Sequence, residues 1–297
     1  MREGATIAVR PQALLLEALE RRARRRGRAH RRHLTLIAGC LLLGFMIAVC
    51  LAAPLLTSYD PDAIDPLHPL AAPLSPGHLL GTDAFGRDIL TRILYGGRID
   101  LLIGFGATGV TVVVGTAIGL VSGYFGGWVD VVIMRIVDLF FAFPFFVLVI
   151  AIVAMLGPSV FNMFVAIWAV SWISYARITR GHTLVAKRQE YAVAARALGY
   201  RRPRIMLRHI LPNVVSYVVI FAMVDAVGNI ILGSALGFLG LGAKPPSPEW
   251  GVMISDGQNY IFTAWWLTTL PGIAIVLVGA GFSLIGDGLA DILRPGD

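Results

Sequence analysis

Uncharged stretches long enough to cross a bilayer dominate the chain. Residues 34–56 contain no Asp, Glu, Lys or Arg. As a helix they extend about 35 Å, enough for a hydrocarbon core of about 30 Å. Residues 101–129 are again uncharged and predict a second span over about 100–123, ended by the glycines of Ser122-Gly123-Tyr124-Phe125-Gly126-Gly127. From Leu139 to Ala176 no charge occurs, a run too long for one crossing, and Gly157-Pro158-Ser159 is a turn signal in its middle. Two spans are expected there, about 133–156 and 160–178. A fifth runs from about Pro212, where proline in a first helical turn costs little, to about 236, and a sixth over about 265–286. Ahead of the second span, Ile89, Leu90, Ile93 and Leu94 recur at helical spacing, with Asp88 and Arg92 on the other face. That pattern predicts an amphipathic helix on the outer membrane surface. The fold class is all-α integral membrane, with six transmembrane helices.

Composition agrees. Of 297 residues, 57% are hydrophobic and 14% charged, whereas a soluble domain carries about a quarter charged residues. A water-soluble globule, a disordered chain and a nucleic-acid module are excluded, despite a net charge of +7. Ten arginines lie in residues 1–33, and nine Lys or Arg in 177–208 against the one acid Glu190, while 57–97 has five aspartates and two arginines. By the positive-inside rule the N-terminus and the 177–208 loop are cytoplasmic, and six crossings put the C-terminus there too. The chain then divides into a basic tail 1–33, a first transmembrane helix 34–56, an extracytoplasmic segment 57–97 and a core domain 98–297. That core holds five spans, a cytoplasmic loop 177–211 and an external loop 237–264. Each basic cluster abuts a span and no nucleic-acid module accompanies it, so the lipid bilayer is the partner and nucleic acid is not. Within the tail, Glu17 and Arg21, and Glu20 and Arg24, pair at i,i+4; a surface-lying helix over 11–26 and a frayed basic tail both fit.

Catalytic chemistry is missing. The lysines are Lys187 and Lys244, neither following glycine, so no phosphate-binding Gly-x-x-x-x-Gly-Lys-Ser/Thr loop exists. There is no His-Glu-x-x-His and no Cys-x-x-Cys, and His182 and His209 read as surface residues of the basic loop. Cys40 and Cys50 are ten residues apart on one helix, about 15 Å, too far to bridge. Ile37-Ala38-Gly39-Cys40 mimics a lipoprotein cleavage site but lacks the preceding apolar region of about 7–15 residues. The intramembrane polar residues Asn162, Asp225 and Asn229 form no nucleophile–base set. No catalytic, cofactor-binding or metal-ligating set is expected, which leaves a conduit or a scaffold. Asp225 stands near mid-bilayer, where a charge costs about 2.5–3.5 kcal/mol, with Asn229 one turn on. Either the pair faces a pathway or partner subunit, or Asp225 only holds helices together.

The most informative stretch is Gln189-Glu190-Tyr191-Ala192-Val193-Ala194-Ala195-Arg196-Ala197-Leu198-Gly199, followed by Arg208-His209-Ile210-Leu211-Pro212-Asn213. Residues 187–198 favour helix and Gly199 stands where a C-terminal cap would. The small residues Ala192, Ala194 and Ala195 suit a helix that docks in another protein's groove, although an ordinary loop helix satisfies the same pattern. This stretch resembles the EAA motif of binding-protein-dependent ABC importer permeases, which docks on the ATPase subunits. It matches at Ala194, Ala195, Gly199, Leu211 and Pro212, and departs at Val193, where Glu is usual, and His209, where Ile is usual. Leu80-Gly81-Thr82-Asp83-Ala84-Phe85-Gly86-Arg87-Asp88 with the residues to Arg98 is similar to the signature before the second span of dipeptide/oligopeptide/nickel permeases. Ala235 to Ala243 with Pro245-Pro246-Ser247-Pro248-Glu249-Trp250-Gly251 is similar to the external loop of that branch, and Phe282 to Asp291 to its C-terminal end.

The resemblance covers about residues 34–295 and is nearest to the C-type, second permease subunit. It implies a type I importer permease fold in the bacterial inner membrane. It also implies a homologous permease partner, two ATPase subunits that bind ATP and Mg, and an extracytoplasmic solute-binding protein. Transported solutes would be dipeptides or oligopeptides, or alternatively nickel, opines or glycopeptide fragments; a non-transporting scaffold is the rival from another class. On this reading Glu190, Ala194, Ala195, Arg196, Gly199 and Pro212 belong to the coupling loop. Gly81, Thr82, Asp83, Gly86, Arg87 and Asp88 form the extracytoplasmic motif, and Pro246, Glu249, Trp250 and Gly251 an external contact with the binding protein; by their chemistry alone the aromatics Trp250, Tyr260, Trp265 and Trp266 read as interfacial anchors. Gly233 stands where the family more often carries an acid, so Asp225 rests on its own position.

Overall fold

The computed structural model describes residues 33–293, and no strand occurs among them. The basic tail's expected helix over 11–26 lies outside the described residues. The helices are α1 (His33–Leu51), α2 (Ala53–Leu56), α3 (Ile89–Phe125), α4 (Gly127–Phe141), α5 (Phe145–Leu156), α6 (Val160–Ala186), α7 (Glu190–Ala197), α8 (Arg202–Ile205), α9 (Leu211–Phe238), α10 (Trp250–Gly257) and α11 (Trp266–Leu293). A π-helical turn, Met206–Ile210, joins α8 to α9. Five helical runs are long and apolar enough to cross a membrane: α1, α3, α6, the α8–α9 run and α11. The pair α4 and α5 makes a sixth when taken as one span.

That pair corrects the expected straight third span, because α4 and α5 meet at 85°. Pro144 lacks an N–H, clashes with the carbonyl one turn back and pushes Phe143 out of helical geometry. The surrounding phenylalanines keep the stretch apolar, so hydropathy alone reads through the break. Beyond α5 the Gly-Pro-Ser signal acts as expected: Gly157 has φ +91° and Ser159 caps α6, accepting from the amides of Phe161 and Asn162.

The second span also differs. The expected surface helix is the first turns of α3 itself, a single helix of 37 residues. Its polar face is not in water: Arg92 is 1% exposed and Asp88 is buried. Residues 57–88 fold back over the start of α3, and Arg92 Nη1 donates to the carbonyl of Pro61 there and to that of Pro246 in the external loop.

Close approach of α3 to α6 rests on a stripe of small residues, Gly115, Gly119 and Gly123, at four-residue spacing. A Cβ at Gly119 would stand 2.3 Å from the Ala176 carbonyl oxygen. Without a hydrophobic driving force inside lipid, such stripes let backbones pack by van der Waals contact. Apolar cores lie between α3, α5, α6 and α9, and between α1, the start of α3, α10 and α11. A third joins α6, α7, α8 and α9. The α7 segment thus sits at the C-terminal end of α3, where Lys187 Nζ donates to the Gly123 carbonyl. Residues 57–88 and α10 sit at the other end.

Candidate functional site

Helix α7 is short and closed at its C-terminus by a Schellman motif. The amide of Tyr200 donates to the Ala195 carbonyl and that of Gly199 to the Arg196 carbonyl. Gly199 has φ +75°, a conformation that costs a residue with a Cβ. Ala192 and Ala195 face inward and are buried, whereas Tyr191, Val193, Ala194, Ala197 and Leu198 are exposed, Leu198 at 72%. The three alanines expected to serve one docking face are therefore split, because a spacing of three residues turns Ala192 and Ala195 together onto the chain's own core. The uncovered face is apolar, with the exposed Glu190 at its N-terminal end. Arg196 is a strap: Nη2 donates to the Lys187 carbonyl at 2.6 Å, tying α7 to the end of α6. Pro212 opens α9, exposed, directly after the π turn. Asn213 Nδ2 donates to the His209 carbonyl one turn back. His182 stacks on Tyr217 and His209 on Tyr200.

Inside the bundle, Asp225 Oδ2 accepts from the Tyr175 hydroxyl at 2.8 Å and from Asn229 Nδ2 at 3.0 Å. Asn229 Nδ2 is also 2.9 Å from Thr108 Oγ1. The Asp225–Asn229 stripe thus faces α3 and α6 of the same chain. Asn229 is buried and Asp225 partly exposed.

At the other end, the extracytoplasmic motif is a buried polar joint. Asp83 Oδ1 accepts from the amides of Phe85 and Arg87, and its Oδ2 from Arg87 Nε at 2.6 Å. Asp88 caps α3 through the Thr91 amide. Thr82 Oγ1 donates to the His68 carbonyl, and the Thr82 carbonyl accepts from Trp266 Nε1. Gly81 and Gly86 have φ near +80°, and a Cβ at Gly86 would overlap the Asp65 carbonyl. Beside this joint a cavity of about 320 Å³ is lined by Asp83, Arg87, Arg92, Asp256 and Tyr260.

The external loop corrects the sequence reading. Trp250, Glu249 and Gly251 are buried, so neither interfacial anchoring nor a contact surface describes them as they stand. Glu249 caps α10, accepting from the amides of Gly251 and Val252, and Trp250 Nε1 donates to the Ile93 carbonyl. Of the four residues named there, Pro246 alone is exposed.

Sequence reasoning missed Asp100, one residue before the uncharged run that defined the second span. It is fully buried and accepts from Ser234 Oγ and the Trp250 amide, next in sequence to the buried Glu249. Burial pushes the Glu249 carboxyl above its ordinary range. Also missed was the joint between α4 and α6, where Arg180 pairs with Asp130 and Arg177 with Asp138. The signal was available: acids in α4 opposite arginines in α6.

An apolar helical bundle with a short, partly uncovered helix at one end and polar joints at the other defines a multi-span membrane protein. Comparison with known proteins agrees. Residues 115–296 match the family of binding-protein-dependent transport system inner membrane components, and residues 22–73 the N-terminal transmembrane domain of oligopeptide transport permease C. A dipeptide transport system permease of Alkalihalophilus pseudofirmus is 44% identical over 259 residues, covering 87% of this chain and 85% of the relative. A glutathione transport system permease of Pectobacterium atrosepticum is 42% identical over 89% of this chain and 88% of its own length. An oligopeptide transport system permease of Haemophilus influenzae is 40% identical over 88% and 84%. The chain belongs to the binding-protein-dependent transport system inner membrane component family: it is a multi-pass permease subunit of an ABC importer.

Proposed function

We propose that this subunit forms, with a homologous permease, the inner-membrane pathway for dipeptides or short oligopeptides. Two separate ATPase subunits, which bind ATP and Mg, drive it, and an extracytoplasmic binding protein delivers the solute. The termini and α7 face the cytoplasm, and residues 57–88 and α10 face outward. Basic residues cluster on the proposed cytoplasmic loop, and the relatives' names supply the peptide substrate.

The observation that carries the reading is the uncovered apolar face of α7, beside a strap that transmits its movement to α6. Displacement of α7 by the ATPases would be passed through Arg196 and Lys187 to the ends of α6 and α3, tilting the spans between inward-open and outward-open states. Leu198→Asp tests it. The chain should reach the membrane while ATPase subunits no longer co-purify and labelled dipeptide uptake is lost. Normal co-purification would refute α7 as the docking element. Uptake of nickel but no peptide by the wild-type complex would refute the substrate.

A further inference from the structure

Residues 57–88 gather three side chains of metal-ligating type beside the extracytoplasmic joint. One donor atom each from Asp65, His68 and His78 lies within 4.8 Å of the other two. His68 Nδ1 is 2.8 Å from Asp65 Oδ2, and the two imidazole rings have centroids 5.9 Å apart. His78 is buried, whereas the His68 side chain is 54% exposed, so the group meets solvent on one side.

A second observation bears on His78 independently. Its Nδ1 is 3.0 Å from Asp88 Oδ1. A carboxylate accepts, so Nδ1 carries the hydrogen and the neutral ring's lone pair is left on Nε2. A carboxylate behind a histidine sets the tautomer and raises the basicity of the ligating nitrogen, as it does behind metal-bound histidines. Asp88 is itself held, accepting from Thr91 N and Oγ1 through its other oxygen. The Tyr59 ring stacks on His78 at 5.2 Å. A turn hydrogen bond accounts for Asp65 and His68 alone, but not for a third donor arriving oriented from ten residues downstream.

We propose that Asp65, His68 and His78 bind one late first-row divalent cation, zinc fitting best, with the fourth position open to solvent. Two imidazoles and a carboxylate suit zinc, whereas Mg²⁺ and Ca²⁺ take oxygen shells. Bonds of about 2.0–2.2 Å at tetrahedral angles place two donors on one zinc about 3.3–3.6 Å apart. The 2.8 Å contact between Asp65 and His68 must therefore open and the widest spacing close by about 1.3 Å, movements that the exposed His68 side chain supplies. Bound metal would pin residues 65–78 to the start of α3 through Asp88.

The test uses the untagged importer complex equilibrated with ZnCl₂ alone. Wild type should hold one zinc attributable to this chain, with histidine nitrogens in its X-ray absorption spectrum. His68→Ala and Asp65→Asn should each weaken that binding about tenfold or more, and MgCl₂ should not displace it. Unchanged zinc affinity in His68→Ala, or displacement by Mg²⁺, overturns the assignment. Should the variants fail to assemble, the wild-type spectrum decides: zinc without imidazole ligation overturns it as well.

Discussion

The Tyr175 hydroxyl donates to Asp225 Oδ2 at 2.8 Å, so the acid of α9 is held by α6 within one subunit. Tyr175 is fully buried, and its ring packs edge-on against Phe221 one turn before Asp225. The acid, for which sequence position leaves a pathway role and a packing role open, makes a helix-to-helix joint.

Tyr175→Phe separates the two roles. Loss of this hydrogen bond is expected to cost about 1–3 kcal/mol, read as a fall in the melting temperature of the complex in detergent. Asp225→Asn should cost a similar amount, and the double variant little more than either alone, because both delete one contact. Additive effects would show that the residues do not act as a pair. If Asp225 also serves the pathway, Asp225→Asn lowers uptake at equal complex abundance while Tyr175→Phe does not.

Gly199→Val places a β-branched residue at φ +75° and should cost about 1–2 kcal/mol locally, opening the Schellman closure of α7. The chain should remain in the membrane while substrate-stimulated ATPase activity disappears. Gly199→Asn, which tolerates the left-handed region better, should retain part of it. Full stimulation in the valine variant would exclude the cap from coupling.

Gly119→Leu should block assembly, because its Cβ would meet the Ala176 carbonyl. Gly109→Ala, on the same helix, meets nothing within 4 Å and should be neutral or stabilising by up to about 1 kcal/mol. Folded yield after detergent extraction distinguishes them; equal yields would mean that α3 and α6 do not pack through this stripe.

The buried Glu249 carboxyl predicts a pH dependence. Glu249 is raised above its ordinary value by burial, so the folded state binds the proton more tightly than the unfolded state. Its stabilisation is complete below the unfolded value near 4.5 and is lost as pH rises through the folded value. Glu249→Gln removes the titrating group and keeps its shape. Thermal melts from pH 4 upward should decline in wild type and flatten in the variant; parallel profiles would show that Glu249 is not the group responsible.

Orientation is tested by labelling. In a variant lacking Cys40 and Cys50, cysteines at Leu67 and Lys244 should react with an impermeant thiol reagent in intact cells. A cysteine at Gln189 should react after the membrane is opened. All three positions are exposed, so burial does not confound the readout. The opposite pattern would invert the proposed topology.

The sequence by itself determined the rough placement of the crossings, because a bilayer demands about 20 apolar residues per span and tolerates few charges there. Gly199 marked the end of α7 for a similarly local reason: left-handed backbone favours a residue without a Cβ. Tertiary structure decided which side of each helix is covered. Pattern at helical spacing cannot say that Asp88 and Arg92 are roofed by residues 57–88, or that Glu249 and Trp250 turn inward onto Asp100 and Ile93. Nor does hydropathy register the 85° turn at Pro144, since apolar residues continue on both sides of it. Burial of a polar side chain depends on partners brought from distant parts of the chain, here 150 residues apart for Asp100 and Trp250, and only the folded bundle supplies them.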